Sequence, residues 1–202
     1  MTSDDARDHG HHPVDPSPVE RRVAAIELLL VEKGLVTSDV VDAVIETYER
    51  DVGPLNGARV VARAWVDDGF RGRLLTDGTA AIGELGLGGA EGQHLVVLEN
   101  TATVHNLVVC TLCSCYPWPV LGLPPTWYKS PAYRARMVRE PRVLLREMGL
   151  DLPEQVEIRV WDSSAEVRYL VLPEAPPDAD RVGEEELASR VSRDAMIGTA
   201  RP

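Results

Sequence analysis

The chain has 202 residues, 21 Lys+Arg against 32 Asp+Glu, a net charge of -11 and three cysteines. That length fits one domain with an appendage and needs no disulfide staples. The acidic balance excludes nucleic acid and anionic membrane surfaces as partners, because both would repel it. No apolar run is long enough to span a bilayer, and residues 1–16 lack the apolar core of a secretory signal. A soluble, cytoplasmic protein is the expectation.

Residues 1–16 read as a disordered tail, in which His9, His11 and His12 have no fixed geometry for a metal. Ser17-Pro18-Val19-Glu20 is a capping box with proline at the first helical position. Val23, Ile26, Leu30 and Val31 follow on one helical stripe, and Gly34 can close the helix in a left-handed cap. A second helix is predicted from Thr37 or Ser38. It places Val40, Val41, Val44, Ile45 and Tyr48 on one face and stops at Gly53-Pro54. Residues 17–55 thus form a helical arm whose apolar stripes need a surface, either this chain's own core or another subunit.

A third helix is predicted over 56–67, carrying Val60, Val61, Ala64 and Trp65. Residues 77–92 contain six glycines but no Gly-Lys-Ser/Thr and no GxGxxG in frame, which argues against nucleotide binding. Strands are expected over 94–99 and 104–109, the second running straight into Cys110. Pro117, Pro119, Pro124 and Pro125 stiffen the loop that follows. Helical stretches over 126–139 and 141–148 come next, then strands over 156–161 and 167–172 with Asp162-Ser163-Ser164 as a turn between them. A last helix covers 184–193. Mixed blocks of strand and helix indicate an α+β class.

All the sulfur lies in Cys110-Thr111-Leu112-Cys113-Ser114-Cys115. A disulfide framework would spread its cysteines along the chain. A structural zinc site takes four ligands, commonly as two separated pairs, whereas here one set of three has only His105 as an available fourth. A redox Cys-x-x-Cys would put Cys110 at a helix start, and the prolines after Cys115 place the cluster in a loop instead. The Cys-Ser-Cys segment permits a third arrangement. If Cys113 and Cys115 bind one metal through sulfur, the amide nitrogens of Ser114 and Cys115 lie between them. Once deprotonated, these four donors form a square plane through five- and six-membered chelate rings. Cys110 can then cap one axial position, and the sixth position stays open. Such strong-field donors favour low-spin trivalent cobalt or iron over zinc. Spacing alone leaves the zinc, redox and claw readings open.

The stretch 109–129 resembles the metal-claw signature of nitrile hydratase α subunits, and 130–136 continues it. Residues 160–169 resemble the family's downstream motif and 192–198 its C-terminal one, so that the likeness runs over nearly everything from Ser17 onward. The resemblance implies Cys110, Cys113 and Cys115 as sulfur ligands, with the amides of Ser114 and Cys115 completing the claw. It implies Cys113 as a sulfinic acid and Cys115 as a sulfenic acid. The family's cobalt members carry Thr after the first cysteine and its iron members Ser, so Thr111 points to cobalt(III), with iron(III) second. The implied reaction is hydration of a nitrile to an amide. Cys115 and Cys113 are its catalytic residues, with the Cys115 sulfenate attacking the nitrile carbon or activating a water. The implied partners are a β subunit in an α2β2 assembly, whose arginines hold the oxidised cysteines, and a metal-loading helper protein. The implied fold is a layered α-β-β-α domain over 56–202, preceded by the arm.

Asp162, Glu166 and Arg168 match polar positions around the family's metal, where they would orient the claw and a water channel. On sequence alone they also fit a surface turn with a cross-strand ion pair. Glu91 stands where relatives often carry Gln near the substrate pocket, and Gln93 is the available substitute. Trp118 either lines an apolar pocket for the nitrile or packs against the β subunit. Two alternatives remain. One is the related metal-binding subunit of thiocyanate hydrolase. The other is a zinc-binding interaction protein using the three cysteines and His105.

Overall fold

Four six-residue strands organise the chain: β1 (His94–Glu99), β2 (Val104–Val109), β3 (Glu157–Asp162) and β4 (Val167–Leu172). In the computed structural model, which describes residues 18–40, 42, 53–87, 94–113 and 115–202, they form two two-stranded sheets. β1 pairs with β4 and β2 with β3, both in parallel. Strands adjacent in sequence therefore do not pair. The turn after Asp162 connects β3 to β4 but closes no hairpin, and the short link from β1 to β2 also changes sheet. A side chain accounts for the second case. Asn100 Oδ1 accepts the Asn106 N–H at 2.7 Å, and so occupies the edge of β2 that a hairpin would use.

The chain divides into two units, residues 1–45 and 46–202. In the first, α1 (Pro18–Glu32) ends at Gly34, whose φ of +65° provides the expected left-handed cap. Its Val19, Val23, Ile26, Leu28 and Leu29 are exposed. Of the predicted second helix, 38–40 and Asp42 are helical, and the rest lies outside the described residues, as does the predicted tail 1–16.

In the second unit the predicted third helix is present as α2 (Pro54–Val66). Two unpredicted helices follow, α3 (Asp68–Thr76) and α4 (Gly78–Glu84). Capping overrides glycine content here. Asp67 accepts the Phe70 N–H at 2.9 Å and Asp77 the Ala80 N–H at 3.0 Å, so each aspartate starts a helix. Beyond the cysteines come α5 (Trp118–Leu121), a 3₁₀ turn (Thr126–Lys129), α6 (Pro131–Arg139) and α7 (Pro141–Glu147). The predicted continuous helix over 126–139 breaks because Pro131 has no N–H and Ser130, in extended conformation, caps Tyr133 at 3.1 Å. The predicted last helix ends early as α8 (Glu184–Arg190), and Ser192 caps a further short helix, α9 (Arg193–Ile197), through the Ala195 N–H. Val60 and Val61 of α2, Leu107 and Val109 of β2, Leu170 and Leu172 of β4, and Met196 of α9 are buried together in one core. No described helix is long and apolar enough to cross a membrane.

A buried polar network ties the C-terminal turn to this core. Because Asn100 Oδ1 accepts a backbone N–H, its Nδ2 must face His105 Nδ1, at 3.3 Å. His105 Nδ1 is therefore the acceptor, and Nε2–H donates to the Gly198 carbonyl at 2.7 Å. Asn106 Nδ2 donates to the Glu99 carbonyl at 2.7 Å, and Asn106 Oδ1 accepts the Trp161 indole N–H at 2.9 Å. Burial holds the imidazole below its ordinary 6.5, although the Gly198 carbonyl opposes the shift. Gly198 itself has φ +91°, and a Cβ there would lie 2.1 Å from the Asn106 carbonyl oxygen.

Two outcomes follow from this network. Gly198→Ala is expected to cost about 3 kcal/mol in urea unfolding, since both backbone and neighbour must shift. An unfolded His105 takes up its proton near 6.5 and the folded one only at lower pH. Folding stability should therefore fall as pH drops below that ordinary value. His105→Gln should lower stability at about pH 7.5 but shrink the loss between about pH 7.5 and 5.5, because the proton-linked part is gone.

Candidate metal centre

The pairing of β2 with β3 sets the start of the cysteine loop. Val109 lies opposite Asp162, and the Val109 carbonyl accepts the Ser163 N–H at 2.8 Å. Cys110, the next residue, is fully buried. The chain then turns outward, leaving Leu112 85% exposed, and comes back through Cys113 and Cys115. The Asp162 carboxylate grips Thr111 twice, accepting its N–H at 2.9 Å and its hydroxyl at 2.5 Å. Arg134 Nη1 donates to the Thr111 carbonyl at 3.4 Å. At the far end of the loop, the Tyr128 hydroxyl donates to the Cys115 carbonyl at 3.0 Å.

These restraints gather the sulfurs. Cys110 and Cys113 Sγ lie 3.6 Å apart, Cys113 and Cys115 Sγ 3.2 Å apart, and all three within 4.8 Å. The Cys113 N–H also points to Cys110 Sγ at 3.3 Å. Burial pushes the Cys115 thiol from an ordinary 9.0 up to about 12, helped by the Cys113 and Cys110 sulfurs, while the Arg168 guanidinium pulls it down. Three sulfurs this close cannot all carry charge without a cation to compensate them, and a metal is the natural one.

The donor set fits a soft, thiolate-binding metal. Two sulfurs each about 2.3 Å from one metal can stand at most roughly 4.6 Å apart, and the Cys110–Cys113 and Cys113–Cys115 separations of 3.6 Å and 3.2 Å both lie within that span. The Cys115 backbone N–H donates to no atom among the described residues, which leaves its nitrogen available as a ligand. The zinc reading loses its fourth ligand. Both ring nitrogens of His105 are engaged in the network with Asn100 and Gly198, and among the described residues the metal-capable cluster around the loop is Cys110, Cys113 and Cys115 alone.

The other predicted site residues separate in space. Asp162 touches the loop directly. Arg168 stands opposite Leu95 near the start of the β1–β4 pair and acts on Cys115. Its Nε and Nη1 are buried without a hydrogen bond among the described residues. Glu166 contributes its backbone, accepting the His94 N–H at 2.8 Å, while its side chain is exposed. No ion pair joins Arg168 to Asp162 or Glu166 among the described residues, so the reading of a cross-strand ion pair at this turn is overturned. The reason is topological: β3 and β4 belong to different sheets. Trp118 opens α5, three residues past Cys115, and is 36% exposed. Ser114, Glu91 and Gln93 lie outside the described residues.

The structure adds residues the sequence reading missed. Tyr128 is fully buried, and its ring meets Tyr116 edge-on at 5.2 Å and Tyr133 at 5.7 Å. Tyr133 donates to the Val108 carbonyl at 2.9 Å, just upstream of the loop. Burial pushes both phenols well above their ordinary range, so both stay donors. In sequence, aromatics within a predicted helix are indistinguishable from ordinary core.

A family model described as "Nitrile hydratase, alpha chain" matches residues 17–200. The low-molecular weight cobalt-containing nitrile hydratase subunit alpha of Rhodococcus rhodochrous is 57% identical over 193 residues, covering 96% of this chain and 93% of that one. A solved structure of a double mutant of the Fe-type nitrile hydratase from Comamonas testosteroni Ni1 superimposes with a TM-score of 0.87 at 44% identity, covering 93% of this chain and 92% of the other. Thiocyanate hydrolase subunit gamma of Thiobacillus thioparus is more distant, at 40% identity over 205 residues, 93% of this chain and 84% of its own. With the three sulfurs gathered as the claw requires, and a match reaching from the first helix to the C-terminal turn, this chain belongs to the nitrile hydratase α-chain family.

Proposed function

We propose that this chain is the metal-bearing subunit of a cobalt nitrile hydratase, converting nitriles to amides together with a β subunit in an α2β2 assembly in the cytoplasm. The observation that carries this reading is the sulfur cluster, with Cys113 and Cys115 at 3.2 Å and Cys110 buried beneath them. The relative from Rhodococcus rhodochrous carries cobalt in its name, and Thr111 follows the first cysteine here. Bound trivalent cobalt would supply a Lewis acid that polarises the nitrile carbon.

The chain's own residues supply the rest. Cys110, Cys113 and Cys115 would hold the metal through sulfur, and the amide nitrogens of Ser114 and Cys115 would complete the donor set. An external oxidant of the dioxygen or peroxide class takes Cys113 to a sulfinic acid and Cys115 to a sulfenic acid, which donate less charge than thiolates do. The Cys115 sulfenate oxygen either takes a proton from the water that attacks the nitrile carbon, or adds to that carbon itself and leaves again, its C–O bond broken, when water takes its place. In the net change, water's oxygen joins carbon and its two hydrogens end on nitrogen. Asp162 fixes Thr111 and with it the start of the loop, while the half-buried Arg168 places a positive charge near Cys115. Trp118, with Glu91 or Gln93, lines the substrate side. Leu112 is exposed and Trp118 partly exposed apolar surface on the cysteine loop and the helix after it, which fits a β subunit closing over the site. A helper protein assists cobalt loading.

Elemental analysis of the co-expressed complex is expected to give about one cobalt per chain, with three added oxygens on the peptide that carries Cys113 and Cys115. Zinc with unmodified cysteines would overturn the reading, as would normal nitrile turnover with bound metal in Cys115→Ser. Asp162→Ala leaves the Thr111 N–H and hydroxyl without their acceptor. It should lower cobalt content or kcat by about 10- to 100-fold, the usual cost of losing a group that orients a ligand.

A further inference from the structure

The two ends of the cysteine loop are held very differently. At the entrance, the Ser163 N–H binds the Val109 carbonyl, Asp162 binds Thr111 twice, and Arg134 binds the Thr111 carbonyl. Loss of any one of these leaves others in place. At the exit, the Cys115 carbonyl accepts from Tyr128 alone among the described residues. Cys115 is also the residue asked to give two neighbouring donors, its amide nitrogen and its sulfur. The bite between those two donors is set by the side-chain torsion of Cys115 itself, but where the pair stands relative to Cys110 and Cys113 depends on the backbone, and the carbonyl hydrogen bond holds that backbone on the exit side.

Tyr128 is built to hold that carbonyl in one place. It lies on the 3₁₀ turn Thr126–Lys129, which ends where Ser130 caps the next helix. The ring is fully buried and packed edge-on against Tyr116 and Trp127. Tyr116 directly follows Cys115, so one aromatic contact and one hydrogen bond fix successive residues of the exit. A phenol locked on all sides cannot follow a carbonyl that moves.

We infer that Tyr128 is a positioning residue for Cys115, setting the geometry of its amide nitrogen and sulfur toward the metal through the hydrogen bond to the Cys115 carbonyl. This rests on the function proposed above. Tyr133 provides the matched comparison: it is a buried phenol that donates to a backbone carbonyl at nearly the same distance, but the carbonyl is that of Val108, within β2 and before the first cysteine.

The test compares the co-expressed αβ complex carrying Tyr128→Phe with one carrying Tyr133→Phe. Each variant keeps its ring and loses one hydrogen bond. The readouts are cobalt per chain, the sulfur-to-metal charge-transfer absorption, thermal unfolding, and kcat and KM separately. Both variants are expected to lower the Tm by a similar small amount. Tyr128→Phe alone is expected to shift or broaden the absorption band and to reduce kcat by about tenfold with KM within about twofold. An unchanged band and kcat in Tyr128→Phe would sink the inference, as would equal spectral changes in both variants. A wild-type complex that binds cobalt without hydrating nitriles would overturn the proposed reaction, and the band comparison would still decide the role of Tyr128. A wild type that takes no cobalt would overturn both.

Discussion

The register between β2 and β3 is the constraint from which the metal centre hangs. Parallel pairing puts Val109 level with Asp162, so one strand ends in Cys110 just where the other presents a carboxylate. Asp162 then captures the backbone and side chain of Thr111, and the loop can turn outward only from that fixed point. A slip of one residue would move Asp162 to the opposite face of its strand and leave Thr111 without both acceptors. The core that sets this register, with Leu107 and Val109 buried, therefore acts on the chemistry without touching the metal.

Electrostatics explains why such a loop needs so much support. Burial resists ionisation of Cys115, and two more sulfurs within 4.8 Å add to that resistance. A cation relieves it only if the sulfurs stay together while their protons leave. The loop is therefore clamped by a carboxylate, a guanidinium and a phenol, each on a different element. The same loop leaves Leu112 exposed and Trp118 partly so.

The sequence was legible where local chemistry decided the outcome. The four strands stand within a residue of their expected ends because short runs of β-branched and apolar residues have few other uses. The cysteine spacing showed where the sulfur chemistry lies, because all three cysteines stand in one short segment, and the family resemblance chose among the readings that spacing left open. Local reading failed where two local rules competed. No helix was predicted over the glycine-containing 68–84, yet Asp67 and Asp77 each start one, because a satisfied N-cap offsets a weak interior. It failed again over 126–139, where Ser130 and Pro131 cut one helical pattern into a turn and a helix.

The pairing of strands was beyond it altogether. Nothing in the turn at 163–166 says that β3 joins β2 and β4 joins β1, since hydrogen-bond partners across parallel strands carry no local signature. Tyr128 and Tyr133 were hidden for the same reason: a buried aromatic looks like core until the carbonyl it meets is known. By itself the sequence determined which donors stand together, because Cys110, Cys113 and Cys115 lie within six positions of one segment. The tertiary structure decided how those donors are held. The groups that hold them, Asp162, Arg134 and Tyr128, come from separate elements that meet only when the sheets have formed and the helices have packed against them.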